Sequence, residues 1–157
     1  MKIDNIKNEI ELAFENTKEA SYKEIYNFNY ILDFDSEFLM KEIKPNNRGD
    51  LKERVELCLE AVKTYEKFML NDIDTRQCVL YKTYQGNNEL AACISLFQFI
   101  VRDGKLDLHV FVRSQNYDSN FDYDNQTYMT LLQYVNSFVE KTIGKTHVHV
   151  TSLHKYC

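Results

Sequence analysis

Residues 93–114, CISLFQFIVRDGKLDLHVFVRS, decide how this chain folds. Two strand-like runs, Cys93–Arg102 and Lys105–Arg113, flank Asp103-Gly104, a dipeptide suited to the positive φ angles of a tight hairpin turn. In the second run Leu106, Leu108, Val110 and Val112 alternate with Asp107, His109, Phe111 and Arg113, the period of a strand with one buried face. Antiparallel pairing around the turn brings the two ends together, so Cys93 should lie beside Arg113. A thiol next to a guanidinium favours the nucleophilic thiolate. On local sequence alone, a strand Cys is more often a small buried apolar residue.

Upstream, residues 3–19 carry Ile3, Ile6, Ile10, Leu12 and Ala13 on a mostly helical spacing, which predicts an amphipathic helix. Tyr22–Phe34 is rich in aromatic and β-branched residues and reads as a strand. The only proline, Pro45, sits in a loop over residues 44–50, and Asp50 can cap a helix over about 51–70 with Leu51, Val55, Cys58, Val62, Tyr65 and Met69 on one face. Asn71 to Asp74 breaks that helix, and Cys78–Tyr81 is a short strand. Downstream, Gln115–Asn120 reads as a polar loop, followed by a helix over about 124–142 that Gly144 ends, and by a strand, Thr146–Tyr156. Helices and strands interleave around an antiparallel hairpin. The fold class is α/β (α+β), a mixed β-sheet with flanking helices in one domain spanning residues 1–157.

Composition narrows the function classes. With 157 residues, 44% hydrophobic and 27% charged, the chain can bury its own core. A net charge of −5 and no Lys/Arg cluster argue against binding a nucleic-acid duplex, but a pocket for one phosphate is compatible with them. No apolar run reaches membrane-spanning length, and MKIDNIKNEIELAF is too charged for a signal peptide, so a cytoplasmic location is expected. The four cysteines then read as free thiols, and none has Cys-x-x-Cys spacing. His147 and His149 share a strand face as a metal pair would, yet further ligands are not evident. No metal is predicted.

The hairpin resembles the active-site hairpin of the thymidylate synthase and deoxycytidylate hydroxymethylase superfamily. Cys93 stands at the position of the family's nucleophile, and Arg113-Ser114 at that of its phosphate-binding pair. Phe97-Gln98-Phe99 and Asp103-Gly104-Lys105 also match in place. Ten residues after Ser114 comes Asp124, where thymidylate synthases have Asn and deoxycytidylate hydroxymethylases have Asp. A carboxylate only accepts hydrogen bonds, which suits the amino edge of cytosine; an amide suits uracil, and neighbouring Asn125 keeps that reading open. Asp124 also reads as an N-cap for the following helix. Ser152-Leu153-His154-Lys155-Tyr156 is similar to the family's Ser-x-His-x-Tyr strand, so His154 and Tyr156 are implied to bind the sugar 3′ hydroxyl. Asp74-Thr75-Arg76 resembles the segment that sends arginine across a dimer interface to the partner's nucleotide, with Gln77 in place of a second arginine.

The resemblance implies a homodimer that binds a pyrimidine nucleotide monophosphate of the dCMP or CMP kind. Cys93 would add to carbon 6 of the base, with methylenetetrahydrofolate as the one-carbon donor. Several departures bear on folate. The chain has no Trp, Asn116 stands where an Asp usually contacts the folate ring, and Ile94 replaces a common His. Glu37 and Glu42 match the family's general base by position only. The alternative is a non-catalytic nucleotide-binding dimer that senses, sequesters or regulates pyrimidine nucleotides.

Overall fold

The hairpin forms where its sequence places it. In the computed structural model, which describes residues 1–18, 21–43, 63, 66–81 and 93–156, β3 (Ile94–Arg102) and β4 (Lys105–Val112) pair antiparallel, closed by Arg102 opposite Lys105. Asp103 has φ 51° and Gly104 φ 73°, both in the left-handed region that a two-residue turn of this hand requires. Leu106, Leu108, Val110 and Val112 are buried, as their alternation predicts.

The other elements are α1 (Ile3–Glu15), β1 (Tyr22–Asp33), α2 (Ser36–Leu39), α3 (Glu66–Asn71), β2 (Val79–Tyr81), β5 (Gln115–Asn116), α4 (Tyr117–Val139) and β6 (Thr142–Tyr156). The sheet runs β1-β6-β4-β3-β2, and β5 continues along β6 beyond the end of β4. β6 pairs antiparallel with β1 and parallel with β4, so the architecture is a mixed α/β sheet with flanking helices. Parallel neighbours need a crossover, and α4 supplies it. Leu131, Leu132 and Val135 of α4 join Ile6, Ile10 and Phe14 of α1 in a core against Leu108, Val110 and Val148. Each such side chain contributes about 1.5–3 kcal/mol by leaving water. Among the described residues no helix is long and apolar enough to cross a membrane.

Four boundaries differ from the sequence reading. α1 stops at Glu15, and Leu12, predicted to be apolar-face, is exposed while Phe14 takes the inner position. Gln115–Asn120 is not a loop: β5 pairs with β6, and the Asn116 side chain caps α4 by accepting the Ser119 N–H at 3.0 Å. Asp124 is therefore inside the helix rather than its cap; the polar first turn had hidden the start. Nor does Gly144 end a helix. α4 closes at Glu140, in the left-handed conformation at φ 51°, and Gly144 lies within β6. A Cβ there would sit 1.9 Å from Asp107 Oδ1 and 2.9 Å from the Leu106 carbonyl. That close approach lets Asp107 Oδ1 accept the Lys145 N–H at 2.7 Å, at a register shift between β4 and β6. Of the predicted helix over about 51–70, only residues 63 and 66–70 fall among the described residues; Asp50 and the loop over 44–50 lie outside them.

One irregularity sets up the site. Strand alternation should make core-facing residues two apart, but at one level they are three apart in adjacent strands: 112 and 115 along β4–β5, 150 and 153 in β6, 25 and 28 in β1. Asn27, with φ 54°, marks that level in β1. Side chains change faces there together. The sheet is kinked.

Candidate functional site

The nucleophile candidate lies at this kink. The Arg113 N–H donates to the Cys93 carbonyl at 2.9 Å, so hairpin closure places Cys93 beside Arg113. Cys93 is half-buried and in no disulfide, whereas Cys78 is buried, its thiol pushed up to about 11 by desolvation. Cys78 is thereby held as an inert thiol at neutral pH.

Past Arg113, which is exposed, and Ser114, which is half-buried, the chain rejoins β6 through Gln115 opposite Leu153 and Asn116 opposite His154. Gln115 turns into the interior, and its Nε2 donates to Asp124 Oδ2 at 2.7 Å. Asp124 is 1% exposed, on the helix side of the sheet. A carboxylate buried to that extent must be hydrogen-bonded, and Gln115 does this. Asn125 beside it accepts from the Tyr30 hydroxyl at 3.1 Å and donates to the Phe121 carbonyl at 2.8 Å. Burial pushes the Tyr30 phenol well up, so it stays a neutral donor. Gln115 Oε1 is buried without a hydrogen-bond partner. An open acceptor thus lies on the same amide that grips Asp124.

On the outward side, His154 stands between Asn116 on β5 and Glu24 on β1, with its ring edge-on to Tyr156 at 5.7 Å. Ser152 Oγ donates to Glu24 Oε1. That hydrogen bond, one from Tyr26 and then the His154 charge hold the Glu24 carboxyl below its ordinary range. Tyr26 and Tyr156 are 69% and 67% exposed, so this patch is open to solvent.

The remaining candidates lie elsewhere. Arg76 is exposed at the β2 edge, where its carbonyl accepts from Gln98 Nε2 at 2.9 Å. Gln98 pairs with His109, so within one chain Arg76 and Arg113 sit at different levels of the sheet. Glu37, in the first turn of α2, and Glu42 are both exposed. His147 and His149 do share a face, the one away from the helices. His147 stacks on His109 with centroids 4.4 Å apart, its Nε2 is 3.7 Å from Asp107 Oδ2, and His149 Nδ1 lies 2.6 Å from Asn29 Oδ1. No group of three His, Cys, Asp or Glu side chains among the described residues is placed to hold a metal ion. These histidines, with Ile31, Phe111 and Lys145, line a groove of about 700 Å³ across the open face.

Sequence reasoning gave no role to Gln115, Tyr30 or Glu24, and placed Ser152 only as the first residue of its strand motif. Gln115 looked like loop, and Glu24 became a neighbour of His154 only through the register of β1 on β6. Comparison with protein-family models finds no match to this chain, and neither does comparison with curated proteins.

Proposed function

We propose that this protein acts on a pyrimidine nucleotide, as a hydroxymethylase- or methyltransferase-like enzyme whose nucleophile is Cys93. One observation carries the reading: a continuous run of pairing and hydrogen bonds joins Cys93 to Arg113, Gln115 to Asp124, and Asn116 to His154. It sets Cys93 and Arg113 side by side at one end of the sheet, with the Asp124 carboxylate on the helix side of that end and the His154 imidazole on its outward side. Arg113 and Ser114 take the phosphate, matching the fork geometry of Arg to phosphate oxygens. Asp124 accepts from the amino edge of cytosine, and the open Gln115 Oε1 is a second acceptor beside it. His154 and Tyr156 take the 3′ hydroxyl.

In the chemistry, the Cys93 thiolate forms a bond to carbon 6, and the pair from the 5,6 double bond makes carbon 5 nucleophilic. Carbon 5 would then attack a one-carbon electrophile and pass its proton to water. A carbon unit brought by folate would also have to leave its carrier nitrogen, with water completing a hydroxymethyl group or hydride completing a methyl group. Expulsion of the thiolate restores the double bond. Methylenetetrahydrofolate is the donor the resemblance implies. Against it, the Asn116 side chain is committed to capping α4. That commitment favours a second reading, a nucleotide-binding dimer without folate chemistry.

The open sheet face supports a homodimer, with Ile31 and Phe111 42% and 45% exposed on it. Arg76, at that sheet's edge, would reach the partner's phosphate. Size-exclusion chromatography with light scattering checks this: a dimer is expected, and a strict monomer removes Arg76 from the phosphate site.

The deciding experiment is tritium release from dCMP, CMP and dUMP labelled at carbon 5, with and without methylenetetrahydrofolate, in wild type and Cys93→Ala. Cys93-dependent release from a cytosine nucleotide is expected. No release despite calorimetric nucleotide binding would leave the binding-protein reading; neither release nor binding would overturn both.

A further inference from the structure

Resting on that nucleotide reading, the structure carries an assignment of its sugar. We infer that Glu24 is a specificity-determining residue that accepts the 2′ hydroxyl of the nucleotide, so the preferred substrate class is a ribonucleotide rather than a deoxyribonucleotide.

The argument is one of register. Glu24 is the β1 residue directly opposite His154, and Tyr26 and Tyr22 stand opposite Ser152 and Tyr156. Three consecutive same-face positions of β6 thus meet three of β1. A sugar whose 3′ hydroxyl is held by His154 and Tyr156 presents its vicinal 2′ hydroxyl at a neighbouring position, and β1 is the flanking strand that offers a carboxylate. An ionised carboxylate accepts only, and acidic side chains hold ribose hydroxyls in this way at dinucleotide sites.

Glu24 is also prepared for the role. Ser152 Oγ donates to Oε1, and Tyr26 donates a further hydrogen bond to the carboxylate. These bonds orient the group and keep it ionised, while each carboxylate oxygen has capacity for more than one donor. The site is accessible: Glu24, Ser152 and His154 are half-buried, and the flanking Tyr26 and Tyr156 rings are exposed. A deoxyribose would leave the carboxylate without this partner and gain nothing in exchange.

Calorimetric titration of CMP and dCMP into wild type, Glu24→Gln and Glu24→Ala tests the assignment, with thermal unfolding as the folding control. Wild type is expected to bind CMP about ten-fold more tightly than dCMP, as one charge-assisted hydrogen bond allows. Glu24→Ala should bring the two nucleotides level by weakening CMP and sparing dCMP, and Glu24→Gln should fall between. Equal wild-type affinities for CMP and dCMP would overturn the Glu24 assignment while leaving the nucleotide site standing, and this comparison needs no variant to fold. Binding of neither nucleotide would overturn the assignment together with the reading beneath it.

Discussion

The kink divides the central sheet into two ends built from the same strands. Before it, β4 and β6 set Leu108, Val110, Val148 and Val150 against the helices and stack His109 on His147 outside. After it, the inward positions hold Gln115, tied to Asp124, near Tyr30 and Asn125, and the outward ones hold Ser152, Glu24 and His154. One end is an apolar core closed by strand alternation. The other is a hydrogen-bonded interior with a polar mouth, made by shifting that alternation one residue in adjacent strands. The lesson is that polar side chains are gathered where the sheet's periodicity breaks, because a strand keeping strict alternation could not turn both Val112 and Gln115 inward.

The largest expected effect is at the kinked end. On the proposed mechanism, Cys93→Ser should lower tritium release from a cytosine nucleotide by about 1,000-fold while changing nucleotide affinity by less than about 3-fold, since a nucleophile acts mainly in the covalent step. Parallel loss of binding would mean that Cys93 is a packing residue. At the regular end, Gly144→Ala drives a Cβ into Asp107 and the Leu106 carbonyl, and urea unfolding should show a loss of about 2 kcal/mol. Unchanged stability would show that β4 and β6 can separate there, making the regular end less rigid than described.

Asp124→Asn sharpens the contrast in specificity. It should shift binding from cytosine toward uracil nucleotides by about 10-fold, because an amide can donate as well as accept. A smaller effect belongs to Tyr30→Phe, which removes the donor to Asn125 and should cost about 1 kcal/mol in urea unfolding. The smallest is pH-dependent and lies on the regular end. Burial, then His147, pushes His109 below its ordinary range, with Asp107 opposing. The unfolded chain therefore binds that proton more readily, so stability should fall as pH drops through about 6.5 and level off once the folded imidazole is also charged. Thermal unfolding of wild type and His109→Gln between pH 8 and about 5.5 checks the sign; an equal fall in both would assign it to other groups.

Much of this was legible in the residues. Asp103-Gly104 announced the hairpin, and the alternation of Leu106 to Val112 gave its buried face. The proximity of Cys93 to Arg113 followed from antiparallel pairing alone. What was not legible depended on register or on broken periodicity. Asn116 looked like loop because N-caps and loops share the same polar residues. Gly144 looked like a helix stop because turn chemistry and close backbone approach both demand glycine. Glu24 and Ser152 are distant in sequence, and only the pairing of β1 with β6 makes them partners.

The claim that the kinked end holds the ligand can be tested most directly with the chain's four histidines. His154 lies at the kinked end, while His109, His147 and His149 lie on the regular open face. In a nuclear magnetic resonance titration with CMP, the imidazole signals of His154 should move with saturation while the other three stay in place. Movement of His109, His147 and His149 with a stationary His154 would contradict the account and put the ligand in the groove across the open face.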